Sequence, residues 1–421
     1  MPLVYFQTFG CQMNVADSDE LRRKLISHGF SETDSTTNAD LIVVNTCSVR
    51  QNAENKALAR ITEFARIKKT QCQLWVTGCM AQRLGDTLKK TIPGISLVIG
   101  AKEIDNLDTI INDHLIAGTF FNSESHINTS SISDFVTVMR GCNNYCAYCI
   151  VPYVRGDERS IPSKDIEDSI KSRISDGVKE ITLLGQNVNS YNDNGTDFSD
   201  LLVRVASIDG LKRLRFTTSH PKDCSEKLIR TVAEIPLCCH HFHLPVQAGS
   251  DRVLSLMNRK YTPSDYMNRI DMIRKYLPDA DITTDILVGF PTETDKEFEQ
   301  TLSLVKNVRY TTAFMFAYSM REGTVASRMT DDIPKTEKLH RLNRLIETQT
   351  SITKEIYDSM IGKTIEVMIN GRQEKREQFW MGQDNGCKRV LIPCENVQSG
   401  MIFKCTVIRS SGMTLIGEIQ E

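Results

Sequence analysis

Met139-Arg140-Gly141-Cys142-Asn143-Asn144-Tyr145-Cys146-Ala147-Tyr148-Cys149 sets three cysteines in the spacing Cys142-x-x-x-Cys146-x-x-Cys149, with no fourth close behind. A closed zinc site takes four ligands, usually as two CxxC pairs. Three thiolates on one tight loop suit instead a [4Fe-4S] cluster with one iron left open for a small molecule. The competing readings are a zinc knuckle, which needs a nearby fourth ligand, and unrelated free thiols.

The spacing resembles that of the radical S-adenosylmethionine (SAM) enzymes, in which the open iron chelates the amino and carboxylate groups of the cofactor. Tyr148 stands at the aromatic position those enzymes favour. Around this loop, apolar runs at Phe135 to Arg140, Ile181 to Leu184, Leu214 to Thr217, His241 to Val246, Ile282 to Val288 and Ala313 to Tyr318 alternate with helical patterns. Roughly six βα units fall short of the eight of a closed barrel, which predicts a partial, splayed one.

The working face of such a barrel is the carboxyl ends of its strands. Gly185-Gln186-Asn187, Ser219-His220, Gln247 and Asp285 fall there, with Gly289-Phe290-Pro291-Thr292-Glu293 beyond, as candidates to line a cofactor site. Polar residues at strand ends are equally routine caps and turn formers, and His240, His241 and His243 fit structural histidines as well.

Upstream, the runs Val4 to Phe9, Leu41 to Thr46 and Leu74 to Thr77 are each followed by a helical pattern, the first through Leu21 and Ile26, the second near Ala53 to Ile67. This is an α/β pattern with a parallel sheet. Cys11, Cys47 and Cys79 each fall just past one of these strands, where open α/β sheets form their ligand crevice. Three cysteines at one topological position read as a second cluster site; the alternative is three small buried apolar residues. Cys72, which precedes its strand, fits the second reading better, and Cys224, Cys238, Cys239, Cys387, Cys394 and Cys405 read as structural thiols.

The Ser/Thr/Asn-rich stretch between Phe121 and Asp134 lacks hydrophobic periodicity and reads as a linker. A helix from Lys335 to Ile356 leads to short apolar runs at Ile365 to Ile369, Phe379 to Met381, Val390 to Ile392, Met401 to Val407 and Leu415 to Ile419, a small closed antiparallel barrel of the kind often used for RNA. Here Arg372, Lys375, Arg376, Lys388 and Arg389 could meet phosphates, although Glu374 and Glu377 interleave with them as on an ordinary solvated face.

With 421 residues, 40% hydrophobic and 25% charged, several ordinary domains are allowed, and the net charge of −2 gives no global electrostatic case for nucleic acid. No run of about 18 apolar residues occurs, and the start lacks the features of a signal peptide, so a soluble cytoplasmic protein without membrane contact is expected. Thirteen cysteines in such a chain point to metal or redox chemistry rather than disulfides.

Further motifs narrow the resemblance: Thr8-Phe9-Gly10-Cys11-Gln12-Met13-Asn14, Val44-Asn45-Thr46-Cys47, Thr77-Gly78-Cys79-Met80-Ala81-Gln82-Arg83, Pro152-Tyr153-Val154-Arg155-Gly156, Leu184-Gly185-Gln186-Asn187-Val188-Asn189 and Ser219-His220-Pro221-Lys222. End to end, the chain resembles the radical-SAM methylthiotransferase family. The resemblance implies an amino-terminal domain over 1–120 with an auxiliary [4Fe-4S] cluster on Cys11, Cys47 and Cys79, a linker over 121–134, a partial (βα)6 radical-SAM barrel over 135–358 with a second cluster on Cys142, Cys146 and Cys149, and a TRAM RNA-binding barrel over 359–421. Tyr148, Gln186, Asn187, Gln247 and Asp285 are expected to bind SAM.

Gly10-Cys11-Gln12-Met13-Asn14-Val15-Ala16-Asp17-Ser18 and Met257-Asn258-Arg259-Lys260-Tyr261-Thr262 resemble most the MiaB-type branch, which acts on isopentenylated adenosine in tRNA. That branch would add a methylthio group to carbon 2 of the base using two SAM molecules. It implies tRNA with isopentenyladenosine as substrate, a reductase or flavodoxin-like electron donor, a sulfur donor for the auxiliary cluster, and a monomer. Other branches act on threonylcarbamoyl-adenosine in tRNA or on an aspartate of a small-subunit ribosomal protein. A non-catalytic Fe-S carrier is the rival of a different class.

Overall fold

The computed structural model describes residues 1–49, 51–115, 131–373, 378–394 and 397–420. Two compact units make up the chain. The first holds the described part of Met1–Thr129 together with Arg140–Tyr145 and Cys149–Arg159; the second holds the described part of Ser130–Met139, Cys146–Tyr148 and Ser160–Glu421.

In the first unit, β1 (Leu3–Thr8), β2 (Ser31–Glu32), β3 (Leu41–Thr46), β4 (Gln73–Gly78) and β5 (Leu97–Gly100) form a parallel sheet in the order β2-β1-β3-β4-β5. Every residue of β3 is buried, as a central parallel strand covered on both faces requires. Strand alternation divides the apolar side chains. Ile42, Val44, Leu74 and Val76 cluster with Ala57, Ile61 and Phe64 of α2 (Gln51–Ile67), whereas Leu41, Val43 and Trp75 cluster with Leu21 and Leu25 of α1 (Gln12–Ser27). The spacing of Ala57, Ile61 and Phe64 puts one helical face on the sheet.

In the second unit, β6 (Ser133–Thr137), β7 (Glu180–Leu184) and β8 (Arg213–Thr217) pair in parallel, as do β9 (His241–His243), β10 (Asp281–Val288) and β11 (Thr312–Ala317). A parallel bridge between Leu214 and Cys238 links the two sets, so six parallel strands follow one another in sequence order as expected. Two boundaries differ from the sequence reading. The run from Phe135 to Arg140 breaks at Val138, and Met139–Arg140 is a separate short strand. The run from His241 stops at His243, because Pro245 has no N–H for a ladder and the Leu244 carbonyl accepts from Thr284 Oγ1 and Tyr266 OH instead. The expected linker over 121–134 lies outside the described residues up to 130, and Ser133 and Asp134 already belong to β6.

Thr364–Arg372, Phe379–Asp384, Arg389–Pro393, Ile402–Ser411 and Thr414–Ile419 close into a small barrel around Val367, Ile369, Val390, Ile392, Val407 and Leu415. It is not wholly antiparallel. The hairpin between the last two strands delivers Thr414–Ile419 beside Arg389–Pro393, and that pair is parallel.

The barrel seats on the amino ends of β7, β8 and β10 through buried charge. Arg215 donates to the carbonyls of Asp384, at 2.7 Å, and Gly386, and Arg213 to that of Gln383 at 2.7 Å. Lys388 Nζ lies 2.6 Å from Asp281 Oδ1 with both side chains buried. Lys388 is therefore no RNA contact: it is occupied neutralising Asp281 and Asp384. A Cβ on Gly386 would meet Asp281 Oδ2 at 1.9 Å, so only glycine lets this turn approach the carboxylate.

Candidate active site

The first unit gathers three cysteines at the carboxyl ends of neighbouring strands. Cys11 precedes α1 as its N-cap, Cys47 follows β3, and Cys79 opens α3 (Cys79–Leu84) directly after β4. Two glycines let these turns converge. Gly10 has φ +126°, and a Cβ on it would sit 2.6 Å from Cys47 Cβ; Gly78 has φ +96°, and a Cβ there would sit 2.3 Å from Asn45 Oδ1. An amide pair fixes the frame: Asn14 Nδ2 donates to Asn45 Oδ1 at 2.9 Å and to the Thr46 carbonyl at 2.8 Å, while Asn45 Nδ2 donates to the Asn14 carbonyl at 2.9 Å.

Burial pushes the Cys79 thiol up to about 11, against the pull of Arg155, and the nearby Cys47 and Cys11 raise it further. Cys79 thus feels both other sulfurs, and Arg155 lies in the field of Cys79 and Cys11. Arg155 Nη2 donates to Asp17 Oδ2 at 2.8 Å and to Asn14 Oδ1 at 3.3 Å; Arg140 Nη1 donates to Asp17 Oδ1 at 2.6 Å. Burial works to raise the Asp17 carboxyl, yet the two guanidiniums hold it below the ordinary range. Sequence reasoning gave no role to Asp17, Arg140 or Arg155. Their only trace was an arginine set against apolar neighbours in Met139-Arg140 and Val154-Arg155.

Among the described residues no three His, Cys, Asp or Glu side chains close around a single metal ion. A four-iron cluster makes a different demand, since each thiolate binds a separate iron. Three thiols on turns permitted by glycine, a backbone N–H from Val49 to Cys47 Sγ at 3.3 Å and a buried cation beside them fit that group. In the Cys142 loop, Cys142 and Cys149 belong to the first unit and Cys146 to the second. Asn144 Nδ2 donates to Cys142 Sγ at 3.5 Å, and Arg259 Nη1 to Cys146 Sγ at 3.2 Å, so two of its sulfurs already accept hydrogen bonds.

In the second unit, the turns after β7 and β8 hold polar groups without partners. Both amide atoms of Gln186 and of Asn189, Ser219 Oγ and His220 Nε2 are buried with no hydrogen bond among the described residues. Orphaned groups of this kind mark a place for a polar ligand. The Lys222 N–H donates to His220 Nδ1 at 3.3 Å, which leaves the proton on Nε2. Burial, helped by Arg259, pulls His220 down to about 2, so the ring is neutral. Asn189, Ser219 and His220 were quoted in motifs, but the sequence did not single out Asn189.

Asn187 behaves differently from Gln186. Its Nδ2 donates to Asp223 Oδ2 at 2.7 Å and its Oδ1 accepts from the His220 N–H at 2.9 Å, so it fixes the neighbouring turn. Gln247 takes a left-handed backbone, φ 72°, beside Ile286 of β10. Asp285 lies within β10 rather than at its end, 3.7 Å from His243 Nε2. His241 and His243 both bond to Thr283 Oγ1, and the turn after β10 is closed by the Gly289 N–H on Glu293 Oε2 at 2.7 Å. Tyr148 packs with Ala147, Leu254, Met257 and Phe290. Of the basic residues considered for RNA, Arg372 lies over the Trp380 ring at 5.0 Å and Arg389 is exposed; Lys375 and Arg376 lie outside the described residues.

Comparison with known proteins places the chain by family and by fold. Residues 3–100 match the uncharacterized protein family UPF0004, and residues 136–305 match the radical SAM superfamily. A tRNA-2-methylthio-N(6)-dimethylallyladenosine synthase of Clostridium botulinum is 42% identical over 98% of this chain and 96% of its own length. The synthase of the same name from Acetivibrio thermocellus is 42% identical over 99% of this chain and 91% of its own. A radical SAM methyltransferase from Kitasatospora setae, TsrM, solved with cobalamin and a [4Fe-4S] cluster, has a TM-score of 0.58 at 15% identity, covering 78% of this chain and 77% of that one; this likeness is one of fold.

Fold and site thus define a radical SAM enzyme, a class that uses [4Fe-4S] clusters and SAM. Within it, the chain belongs to the radical-SAM methylthiotransferase family.

Proposed function

We propose that this chain is a tRNA methylthiotransferase that places a methylthio group on carbon 2 of N6-isopentenyladenosine beside the anticodon, consuming two SAM molecules. The observation that carries the reading is its 42% identity, over nearly its full length, to synthases named for that product. Cys11, Cys47 and Cys79 would hold one [4Fe-4S] cluster, and Cys142, Cys146 and Cys149 the other. Tyr148, Gln186, Asn187, Gln247 and Asp285 would serve SAM, Asn187 by fixing its turn. When bound, the cluster and SAM supply the carbon radical needed to open an unactivated aromatic C–H bond, which no side chain achieves at neutral pH.

The chain's own groups provide the setting. Gln186, Asn189 and Ser219 offer unpartnered donors and acceptors at the strand ends, and His220 offers a donor proton on Nε2 without a charge. Arg155 offsets the thiolate charge of the first triad. The target adenosine must leave its stack to be reached, as single-stranded RNA usually does, and an isopentenyl group gives the enzyme an apolar handle against unmodified tRNA. The exposed Arg372 over Trp380 suits phosphate and base contact on the small barrel, which we read as a TRAM domain.

A reductase or flavodoxin-like protein would donate electrons, and a separate donor would renew the auxiliary sulfur. Among the described residues no helix is long and apolar enough to cross a membrane. We read the protein as cytoplasmic and monomeric, with domains over 1–120, 135–358 and 359–421. The test is an anaerobic assay of cluster-reconstituted protein offered isopentenylated tRNA, threonylcarbamoyl-adenosine tRNA and the ribosomal protein side by side. Methylthio-isopentenyladenosine in the digested RNA is the expected product; a methylthio product on either other substrate alone would overturn the substrate assignment.

A further inference from the structure

Arg259 stands in Met257-Asn258-Arg259-Lys260-Tyr261-Thr262 between two residues with left-handed backbone, Asn258 at φ 57° and Lys260 at φ 58°. Non-glycine residues take that conformation at a cost, and a pair of them flanking one side chain indicates that its direction is enforced. The side chain is turned inward and only 4% exposed. Nε donates to Tyr261 OH at 3.0 Å, Nη2 to the Pro245 carbonyl at 2.7 Å, and Nη1 to Cys146 Sγ at 3.2 Å and Tyr148 OH at 3.4 Å. The guanidinium also lies 5.3 Å from the Tyr261 ring centroid. The same segment is tied to the cysteine loop by the Ala147 N–H on the Met257 carbonyl at 2.9 Å.

No carboxylate pairs with Arg259 among the described residues, unlike Arg140, Arg155, Arg215 and Arg341, each of which has one. A buried guanidinium surrounded by neutral oxygens is costly, and the charge is matched only if one of its acceptors is an anion. Cys146 Sγ, 3.2 Å from Nη1, is the acceptor that becomes an anion on binding iron, because a metal-bound cysteine is a thiolate.

We infer that Arg259 is a positioning residue for the radical-SAM cluster, donating a charge-assisted hydrogen bond to the Cys146 thiolate and making the cluster easier to reduce. The inference rests on the reading that Cys142, Cys146 and Cys149 hold a [4Fe-4S] cluster. One-electron reduction adds a negative charge to the cluster and its thiolates with no bond made or broken. A fixed cation at hydrogen-bond distance stabilises the reduced form more than the oxidised one, because hydrogen bonds to the sulfurs and local charge set such potentials. A residue that merely tethered the Pro245 and Tyr261 segments would affect folding and iron loading but not the potential of the loaded cluster.

The experiment uses full-length protein carrying Cys11→Ala, Cys47→Ala and Cys79→Ala, so that a single cluster reports. After anaerobic reconstitution, iron is counted and the reduced cluster is titrated potentiometrically with electron paramagnetic resonance, for Arg259, Arg259→Gln and Arg259→Lys. At equal iron loading the midpoint moves negative in Arg259→Gln and by a smaller amount in the same direction in Arg259→Lys, which keeps the charge but replaces the guanidinium fork with a single-point donor. An unchanged or more positive midpoint in Arg259→Gln overturns the inference. Should that variant fail to retain iron, Arg259→Lys is read alone: altered g-values or a more negative midpoint support the hydrogen bond, and unchanged values of both overturn it. Absence of iron in the Arg259 background overturns the cluster reading and this inference with it.

Discussion

Asp17 and Arg155 form an ion pair of 2.8 Å with side-chain exposures of 2% and 4%, and the same carboxylate also takes Arg140 at 2.6 Å. One buried anion thus holds two cations from residues more than a hundred positions away, and one of those cations, Arg155, also donates to Asn14 and lies in the field of Cys79 and Cys11. Asp17→Asn keeps the shape and removes the charge. Breaking a buried pair typically costs about 3–5 kcal/mol, so the unfolding free energy of the apoprotein, from urea denaturation, should fall by that amount. A loss below about 0.5 kcal/mol would show that the arginines find other anions.

The junction of the small barrel with the parallel strands poses a similar case. Lys388→Met leaves the buried Asp281 carboxylate with hydrogen bonds from the Cys387 N–H and Thr311 Oγ1 but without its cation, and should destabilise by about 3–5 kcal/mol. Adding Asp281→Leu should recover part of the loss, since the pair, rather than either residue, is the unit of stability. Additive losses in this double-mutant cycle, followed by thermal unfolding, would contradict a coupled pair.

His220 and His241 are held neutral by burial, at about 2 and about 3. In the unfolded chain each titrates near 6.5, so below that pH the unfolded state takes up protons that the fold refuses. Stability is full above about pH 6.5 and declines as the pH falls towards 3, each histidine adding about 1.4 kcal/mol per pH unit to the slope. His220→Gln should make the decline shallower by one histidine's share between pH 6 and pH 4 (about 1.4 kcal/mol per unit). Urea denaturation across that range checks it; an unchanged slope would mean that His220 is protonated in the fold.

Iron content gives a further check on the two cysteine triads. Replacing Cys11, Cys47 and Cys79 by alanine, or Cys142, Cys146 and Cys149 by alanine, should each remove about half of the iron retained after anaerobic reconstitution, with all of it lost when the sets are combined. Full iron in either triple variant would remove that triad from the cluster ligands.

Much of this was legible because the relevant signals are local. The apolar runs of the parallel strands and the placement of Cys11, Cys47 and Cys79 just after them can be read from hydrophobic period and position alone. What escaped was long-range. Nothing near Lys388 announces that its amine neutralises Asp281, more than a hundred residues earlier, so a buried lysine passed for a phosphate contact. Asp17, Arg140 and Arg155 escaped for the same reason. Nor does an amide in a turn reveal whether it is satisfied: Gln186 and Asn187 are neighbours in sequence, yet the first lacks partners and the second has two.

In the proposed function the Cys142, Cys146 and Cys149 cluster would serve SAM cleavage and the Cys11, Cys47 and Cys79 cluster the sulfur to be transferred, a division tested most directly by measuring 5′-deoxyadenosine and methylthio-isopentenyladenosine together in reconstituted wild type, Cys79→Ala and Cys146→Ala supplied with isopentenylated tRNA. The account predicts both products from wild type, 5′-deoxyadenosine without the methylthio nucleoside from Cys79→Ala, and neither from Cys146→Ala. Methylthio nucleoside from Cys79→Ala, or 5′-deoxyadenosine from Cys146→Ala, would contradict it.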